Sequence, residues 1–332
     1  MLQNRELRSG VTMARLVCKD RSWIIMWLIC LVLMMPTYVA AQITEPVPPD
    51  LCAPKDCRAD FVVFGDSQGP DGHLCPVATS FGNMLNLINE IDVPMAFHLG
   101  DMYIGDYSFS MAVDEQAEQF LSEMMDLNIT WWPVMGNHDS AGDGWEITRD
   151  MVFQGGSTYY SFDADESHFI VLDAFMPDYE NRISEEQFSW LKDDLNRIDK
   201  PHVFVFVHAP LYPLGPHLSE SLDVDIALRD RLAMLLKEYG VDVVFNGHEH
   251  FYAAFEYQGL LQVTAGGSGG ILRNFADLEE LVDEYGYSPD QITRWKAVKT
   301  LHYVCVTTGD DWIEISAYDL GGNLIDSFRV PS

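Results

Sequence analysis

The sequence has few basic residues, and this shortage narrows the partners that it can have. Lysine and arginine together number 20, against 51 aspartates and glutamates, and the formal net charge at pH 7 is −31. Because like charges repel, a chain of this charge is a poor ligand for nucleic acid and for anionic membrane faces. We therefore expect no nucleic-acid partner.

Long apolar runs are also missing. The most apolar segment, residues 23–35, is shorter than the roughly 20 residues that a membrane span needs. It follows a basic stretch and precedes Val39-Ala40-Ala41, the kind of small residues that signal peptidase recognises. These features predict a signal peptide over residues 1–41 and an exported protein, periplasmic or secreted, with no membrane association after cleavage. Two alternatives stay open: an uncleaved anchor, and a start at Met13, which would shorten the basic segment.

Paired CxxC motifs are absent, so a zinc site built from cysteines is not expected. Two of the six cysteines lie in the predicted signal peptide. Four remain in the mature chain: Cys52, Cys57, Cys75 and Cys305. An even number in an oxidising compartment permits disulfides, and the short separation of the first two favours a local loop. The sequence leaves the pairing open.

Apolar residues are plentiful, at 48% of the chain with 12% aromatic, which is typical of a folded globular protein. A proline-rich linker over residues 42–58 is expected to lead into one domain over residues 59–332. Hydrophobic patterning there predicts buried strands and amphipathic helices. The predicted strands are 60–65, 95–99, 131–135, 158–162, 168–172, 202–207, 241–245, 260–264, 301–307, 312–318 and 324–330. The predicted helices are 77–91, 111–127, 184–197 and 222–239, with a helical acidic insertion at 275–298.

Helices separate the earlier strands, and turns separate most of the later ones. This order predicts an α/β (α+β) fold, a four-layer αββα sandwich of two mixed β-sheets flanked by helices. Ligands in open α/β sheets bind at the carboxyl ends of the strands. Chemically active residues are therefore expected just after the strands.

Five short segments each follow an apolar strand and carry side chains that can bind metal ions. They are Gly65-Asp66-Ser67-Gln68, Gly100-Asp101, Gly136-Asn137-His138-Asp139, Val207-His208 and Gly247-His248-Glu249-His250. Carboxylate and amide oxygens together with neutral imidazoles suit ions such as Mn, Fe or Zn. Gly-Asp after a strand is by itself usually a turn, and a single strand-end histidine is usually structural. The five together favour a metal centre.

In this order, the five segments resemble the calcineurin-like metallophosphoesterase superfamily, which includes purple acid phosphatases and many exported bacterial enzymes. The resemblance spans residues 60–250, and Gly-Asn-His-Asp and Gly-His-x-His are its specific motifs. It implies a hydrolase of phosphate esters that holds two divalent or mixed-valence ions (Mn, Fe or Zn) and acts on a small phosphorylated substrate. In such enzymes a hydroxide held by the metal pair attacks phosphorus.

The resemblance also implies a role for each matching residue. Asp66 and His250 would bind the first ion, with Asp101 bridging both. Three residues would bind the second ion: Asn137, His208 and His248. His138 would protonate the leaving group as general acid, and Asp139 would orient its ring.

Two positions depart from the common pattern. Gln68 stands where many members have a histidine ligand, so it would hold the first ion more weakly, through its carbonyl oxygen or a water. Purple acid phosphatases take a tyrosine ligand three residues after the bridging aspartate, where this chain has Ile104. Tyr103 lies only two residues after Asp101. An iron–tyrosinate centre is therefore not expected.

The other candidates receive structural interpretations. His98 lies inside a strand, Asp173 is expected to cap a turn, and the glycine-rich loop 265–270 is expected to turn close to the site. A structural role is favoured for His217, Tyr212 and Tyr252. Contact with the substrate is the alternative for each of them. Substrate specificity is expected in the loops 103–118, 139–157, 210–222 and 271–298.

Two rival functions remain. Gln68 resembles a branch that includes manganese-dependent nucleotide-diphosphate hydrolases, so such an activity on the same fold is one alternative. The other is a non-catalytic relative that binds metal or phosphate, against which the intact His138 argues. The substrate itself cannot be read from the sequence.

Overall fold

The computed structural model describes residues 58–70, 75–105 and 111–332, which all fall in one compact unit. Residues 1–57 lie outside these ranges. The signal peptide, the pairing of Cys52 and Cys57 and nearly all of the linker therefore stay predictions. Cys75 is disulfide-bonded, and Cys305 is buried. Within the described ranges, no helix has both the length and the apolarity required to cross a membrane.

The described chain forms thirteen strands and six α-helices. The strands are β1 (Phe61–Phe64), β2 (Met95–His98), β3 (Thr130–Pro133), β4 (Tyr160–Ala164), β5 (Ser167–Leu172), β6 (His202–Val207), β7 (Val243–Asn246), β8 (Tyr252–Tyr257), β9 (Leu260–Ala265), β10 (Ile292–Val298), β11 (His302–Thr308), β12 (Trp312–Asp319) and β13 (Leu324–Pro331). The helices are α1 (Phe81–Ile88), α2 (Val113–Met124), α3 (Gly144–Met151), α4 (Glu185–Leu195), α5 (Ile226–Glu238) and α6 (Leu278–Asp283).

Two mixed sheets organise the molecule, as the sequence predicts. One has the order β13-β12-β11-β1-β2-β3 and the other β10-β8-β9-β7-β6-β5-β4. In the first sheet β1, β2 and β3 run parallel, and in the second β5, β6, β7 and β9 run parallel. The carboxyl ends of these parallel strands carry the five segments identified above.

Side chains alternate between two apolar layers because successive residues of a strand point to opposite faces. In β1, Phe61 and Val63 pack between the sheets, whereas Val62 and Phe64 pack in the other buried cluster, together with α1 and α2. Phe61 meets five other phenylalanine rings edge-on, at centroid distances from 4.9 to 6.1 Å. This apolar filling joins the sheets and so fixes the strand ends relative to one another.

The helices pack against the sheets through regularly spaced apolar residues. In α1 the buried positions are Phe81, Met84, Leu85 and Ile88, the spacing of one helical face. Ser184 caps α4 by accepting a hydrogen bond from the backbone N–H of Gln187, at 3.1 Å. The confirmed fold class is therefore an α/β architecture of two mixed sheets flanked by helices.

Three elements differ from the sequence prediction. α3 lies in a segment that was expected to be a loop, and β8 was not predicted. β10 lies where a helical insertion was expected, and only α6 and a short 3₁₀ helix, Pro289–Gln291, are helical there. β10 is the edge strand of its sheet, and its residues are mostly half-exposed. Its sequence therefore contains polar and charged residues instead of the continuous apolar run that marks a buried strand.

Candidate metal centre

Six candidate ligands meet where the two sheets present their strand ends. Two three-residue groups have donor atoms that all lie within 4.8 Å of one another: Asp101, His208 and His248, and Asp66, Asp101 and His250. Asp101 belongs to both groups. The first sheet supplies the aspartates and the second the histidines, so the cluster spans the sheet interface.

Three of these residues have backbone angles that side chains other than glycine rarely adopt. The φ angles are 61° at Asp66, 53° at Asp101 and 70° at His248. Each such residue costs free energy on the order of 1–3 kcal/mol and persists only where its surroundings hold it. Here the backbone N–H of His248 donates to Asp66 Oδ1 at 2.8 Å. The three turns therefore support one another.

Each of the three histidines is oriented by a backbone carbonyl. His208 Nδ1 lies 2.7 Å from the carbonyl oxygen of Leu99, His248 Nε2 lies 3.1 Å from that of Glu220, and His250 Nδ1 lies 2.9 Å from that of Ile271. A carbonyl only accepts, so these ring nitrogens carry the protons. The other nitrogen of each ring therefore points into the cluster, which is the usual arrangement of metal-binding histidines.

The inward nitrogens face oxygen atoms, and that of His250 also faces the amide nitrogen of Gln68 at 3.1 Å. His208 Nε2 lies 3.0 Å from Asn137 Oδ1 and 3.3 Å from Asp101 Oδ1. His248 Nδ1 lies 2.9 Å from the same Asn137 oxygen, and His250 Nε2 lies 3.3 Å from Asp66 Oδ1. Lone pairs that face oxygens at these distances repel one another unless a proton or a cation lies between them.

The pKa values reflect this crowding. Burial lowers the pKa of His208, but the Asp101 carboxylate outweighs it and raises the value to about 9. Burial likewise opposes the Asp66 carboxylate at His250, and the pKa of His250 is raised. At His248, burial and the neighbouring His208 lower the pKa well below its usual value. At His208 a proton thus occupies a position that a cation would take, so metal binding there would release it.

A buried acceptor atom also fits a cation. Asp66 Oδ2 is buried without a hydrogen-bond partner. A Cβ added at Gly247 would lie 2.3 Å from this oxygen, and one at Gly266 would lie 2.7 Å from it, so both positions require glycine. A buried carboxylate oxygen without a hydrogen-bond partner lowers the free energy of unfolding. The donor set of carboxylates, an amide and imidazoles suits Mn, Fe or Zn.

Gln68 lies at the same cluster, but its amide nitrogen faces inward. Gln68 Nε2 lies 3.1 Å from Asp101 Oδ2 and 3.1 Å from His250 Nε2. Its Oε1 is buried without a hydrogen-bond partner. A half-turn of the amide would exchange the two atoms and present the oxygen to a cation.

His138 stands at the open side of the cluster. Its Nδ1 lies 2.6 Å from the carbonyl oxygen of Ile104, its Nε2 lies 4.0 Å from Asp101 Oδ2, and its side chain is 25% exposed. The bond to Ile104 fixes the ring and leaves Nε2 directed toward the cluster. A group in this position can reach both the site and solvent.

Asp139 does not orient the His138 ring as expected. Its Oδ2 accepts from the backbone N–H groups of Asp101, at 2.8 Å, and Gly136, at 2.9 Å, and its Oδ1 accepts from that of Met102, at 2.8 Å. Because Asp139 is fully buried, these bonds satisfy its carboxylate. It therefore ties together the two loops that carry Asp101 and Asn137, and the Ile104 carbonyl orients the ring.

Several neighbours adopt the structural roles that the sequence predicts. His98 is buried, accepts from Gly100 N–H at 3.2 Å and contacts Ser67 Oγ at 2.9 Å. Burial lowers its pKa to about 3, so it is neutral. The loop 265–270 turns beside the site, where Gly270 N–H donates to the Asp66 carbonyl. Tyr252 donates to Asp326.

His217 lies closer to the site than expected. Its ring centroid is 4.1 Å from that of His248, and its side chain is 23% exposed. Tyr212, by contrast, is buried and packs against Tyr257 at a centroid distance of 5.0 Å. His217 is therefore the one of these two that can contact a bound substrate.

One wall of the site has no counterpart among the residues predicted from the sequence. Phe175 packs against His208 at a centroid distance of 5.7 Å and against His248 at 6.4 Å. Asp173 supports this wall, since it accepts from Phe175 N–H at 2.7 Å and from Trp145 Nε1 at 2.9 Å. Asp173 thus caps a turn, as predicted. The aromatic side chains beside it, Phe175 and Trp145, were not predicted to belong to the site.

Comparison with known proteins agrees with this geometry. The calcineurin-like phosphoesterase profile matches residues 59–252. Purple acid phosphatase 23 of Arabidopsis thaliana is 35% identical over 169 residues, which are 43% of this chain and 36% of that protein. Acid phosphatase type 7 of Mus musculus is 25% identical over 233 residues, or 61% of this chain and 52% of that protein.

Solved structures share the fold. A purple acid phosphatase from yellow lupin seeds superposes with a TM-score of 0.65 at 18% identity, covering 82% of this chain and 53% of that one. The chain spans 36% and 52% of the two curated relatives described above. The likeness therefore extends over the fold, but not over the relatives' full length.

Proposed function

Because the chain belongs to the calcineurin-like phosphoesterase family, we propose that it hydrolyses phosphate esters at a centre of two metal ions. The observation that carries the proposal is the pair of donor groups sharing Asp101, with three histidines oriented by backbone carbonyls. Export to the periplasm or medium remains part of the proposal, and N-terminal sequencing of the mature protein tests it.

The residues divide into two sets around the shared aspartate. Asp66, His250 and Gln68 would hold one ion, and Asn137, His208 and His248 the other, with Asp101 between them. Divalent ions held by these residues would supply charge neutralisation for the phosphoryl group and a bound water of lowered pKa. The protein therefore needs no separate general base.

His138 is the proton donor in this proposal. The reaction adds the water oxygen to phosphorus and breaks the bond from phosphorus to the ester oxygen, which must gain a proton to leave as an alcohol. With Nδ1 engaged by the Ile104 carbonyl and Nε2 4.0 Å from Asp101 Oδ2, a protonated His138 would donate from Nε2. General acids of this kind contribute roughly 10²–10⁴-fold to rate.

Mutation tests the centre and the acid separately. With Mn²⁺ added, the wild type should hydrolyse 4-nitrophenyl phosphate, and Asp101→Ala should abolish turnover. Asp290→Ala, which removes an exposed carboxylate elsewhere, should leave it unchanged. Full activity in Asp101→Ala would refute the proposed centre.

The leaving group distinguishes the acid from a merely structural histidine. His138→Gln should slow hydrolysis of an alkyl phosphate far more than that of 4-nitrophenyl phosphate, because nitrophenolate leaves without a proton. An equal loss for both esters would contradict the role. A panel that includes diphosphates tests the alternative nucleotide-diphosphate activity, and metal binding without any turnover would support the non-catalytic alternative.

A further inference from the structure

A cavity opens directly beside the candidate metal centre. Its volume is about 790 Å³, and Asn137, a candidate ligand, forms part of its lining. The walls are two segments, 140–146 and 175–182, which we call the pocket walls. The second of these was absent from the loops expected to set specificity. A phosphate bound at the second ion would have its organic group at the mouth of this cavity.

The inner side of the cavity is aromatic and firmly held. Phe175 and Trp145 both line it, and Asp173 accepts a hydrogen bond from each of them. Gln187 in turn fixes Asp173, because its Oε1 accepts from Asp173 N–H and its Nε2 donates to the Asp173 carbonyl, both at 2.8 Å. The aromatic surface is therefore pre-organised before a ligand arrives.

The outer side of the cavity carries negative charge. Four acidic residues line it, Asp143, Glu146, Asp178 and Glu180, against one basic residue, Arg182. All four acids are exposed at the rim. Within the described residues none of the four is in an ion pair, and Arg182 donates to the Glu180 carbonyl at 3.1 Å. An anionic organic group would be repelled here.

We propose that this cavity binds the organic group of the substrate, and that this group is a cationic alcohol such as an amino alcohol or a quaternary ammonium alcohol. The inference rests on the proposed phosphoesterase function. Carboxylates at the rim attract the positive charge, and an aromatic lining favours an ammonium group over a neutral one. The phosphate at the metal centre and the cation at the rim would together orient a zwitterionic ester.

The same charges exclude other esters. A nucleoside diphosphate would bring a further phosphate to a rim of carboxylates, where like charges repel. Hydrolysis of the preferred ester would consume one water, break the bond from phosphorus to the alcohol oxygen and release inorganic phosphate with the cationic alcohol.

A matched pair of esters tests the charge alone. Phosphocholine and 3,3-dimethylbutyl phosphate have nearly the same shape, but only the first carries a positive nitrogen. We expect the wild type to prefer phosphocholine in kcat/KM by on the order of tenfold, the combined effect of the rim charges and the aromatic surface. High ionic strength should reduce this preference because the rim is exposed.

Two double variants locate the effect. Glu146→Gln with Asp178→Asn removes two rim charges, and asparagine tolerates the φ of 70° at position 178. The preference should then fall to within about twofold. The matched control is Glu186→Gln with Asp165→Asn, two exposed acids outside the cavity, of which Asp165 has a φ of 49°. The control should keep the wild-type preference.

The outcomes separate this inference from the proposed function. Three results would overturn the cationic pocket: a wild-type preference near one, a preference that survives in the cavity variant, or an equal loss of preference in the control. In each case, turnover of 4-nitrophenyl phosphate would still support the proposed phosphoesterase function. If none of the three esters is hydrolysed with metal present, the proposed function itself fails and the pocket inference with it.

Discussion

Replacing Gln68 by histidine should strengthen the binding of one metal ion and leave the other nearly unchanged. Gln68 Nε2 lies 3.1 Å from His250 Nε2, which belongs only to the group of Asp66, Asp101 and His250, and 3.1 Å from Oδ2 of the shared Asp101. Its neutral amide must also turn before it can offer an oxygen. A histidine at this buried position would instead offer an imidazole nitrogen, a stronger donor for Mn or Zn.

The size of the effect follows from the ligand set. Loss of a single supporting group around a metal typically costs 10–100-fold in affinity, so gain of a direct ligand should improve one dissociation constant by at least about that factor. This corresponds to about 1.4–2.7 kcal/mol. Asn137→Ala should act oppositely on the other ion, because Asn137 Oδ1 faces only His208 and His248, at 3.0 and 2.9 Å.

Calorimetric titration of metal-stripped protein with Mn²⁺ measures both steps without depending on activity. Gln68→His should shift one binding step to higher affinity, and Asn137→Ala should shift the other to lower affinity. Circular dichroism of both stripped variants checks that they remain folded. Two variants that alter the same step, or a wild type that binds a single ion, would refute the division into two donor groups.

Two further predictions concern residues around the site and far from it. Tyr103 is buried, and its hydroxyl is hydrogen-bonded to Thr148. Iron-loaded protein should therefore lack the visible tyrosinate-to-iron absorption, and Tyr103→Phe should leave the spectrum unchanged. A purple protein would contradict this prediction. Burial opposes protonation of His168, but hydrogen bonds to Asp194, at 3.0 Å, and Asp163, at 2.6 Å, prevail and raise its pKa. These contacts should therefore add about 1–2 kcal/mol of stability below the unfolded pKa of about 6.5, lost as pH rises through the folded value. His168→Gln should lower the melting temperature more at pH 6 than at pH 9, and an equal decrease at both would refute this role.

The buried strands and the candidate ligands could be predicted because both leave local signals. β1 and β6 are continuous apolar runs, and each ends where a polar, metal-competent residue begins. Parallel strands bring their carboxyl ends to one edge of a sheet. Apolar runs and the residues after them therefore predict which side chains converge, even though no single segment shows the convergence.

Elements whose existence depends on tertiary contacts could not be predicted in this way. α3 has only eight residues and begins with a glycine, and its Thr148 hydroxyl donates to the carbonyl of Asp139. β10 pairs with β8 at a sheet edge and buries little of its surface. Short helices and exposed edge strands gain their stability from such partners rather than from their own patterning.

The role of Asp139 shows the same limit for the site. A carboxylate next to a candidate acid suggests a partner for its ring, yet the closer donors are three backbone N–H groups contributed by both loops. Backbone groups have no sequence signature. The aromatic surface formed by Phe175 and Trp145 was missed for a similar reason, since neither residue is part of a motif.

The arrangement of ligands also links metal binding to the packing of the sheets. Asp66, Asp101 and Asn137 follow strands of the first sheet, whereas His208, His248 and His250 follow strands of the second. Each donor group therefore draws from both sheets, and the unfavourable φ angles at three of these residues are retained where the sheets meet. Ions that bind only the folded arrangement stabilise it by mass action. Cations at this centre would thus hold the sheets together as well as carry the chemistry, because the same side chains do both.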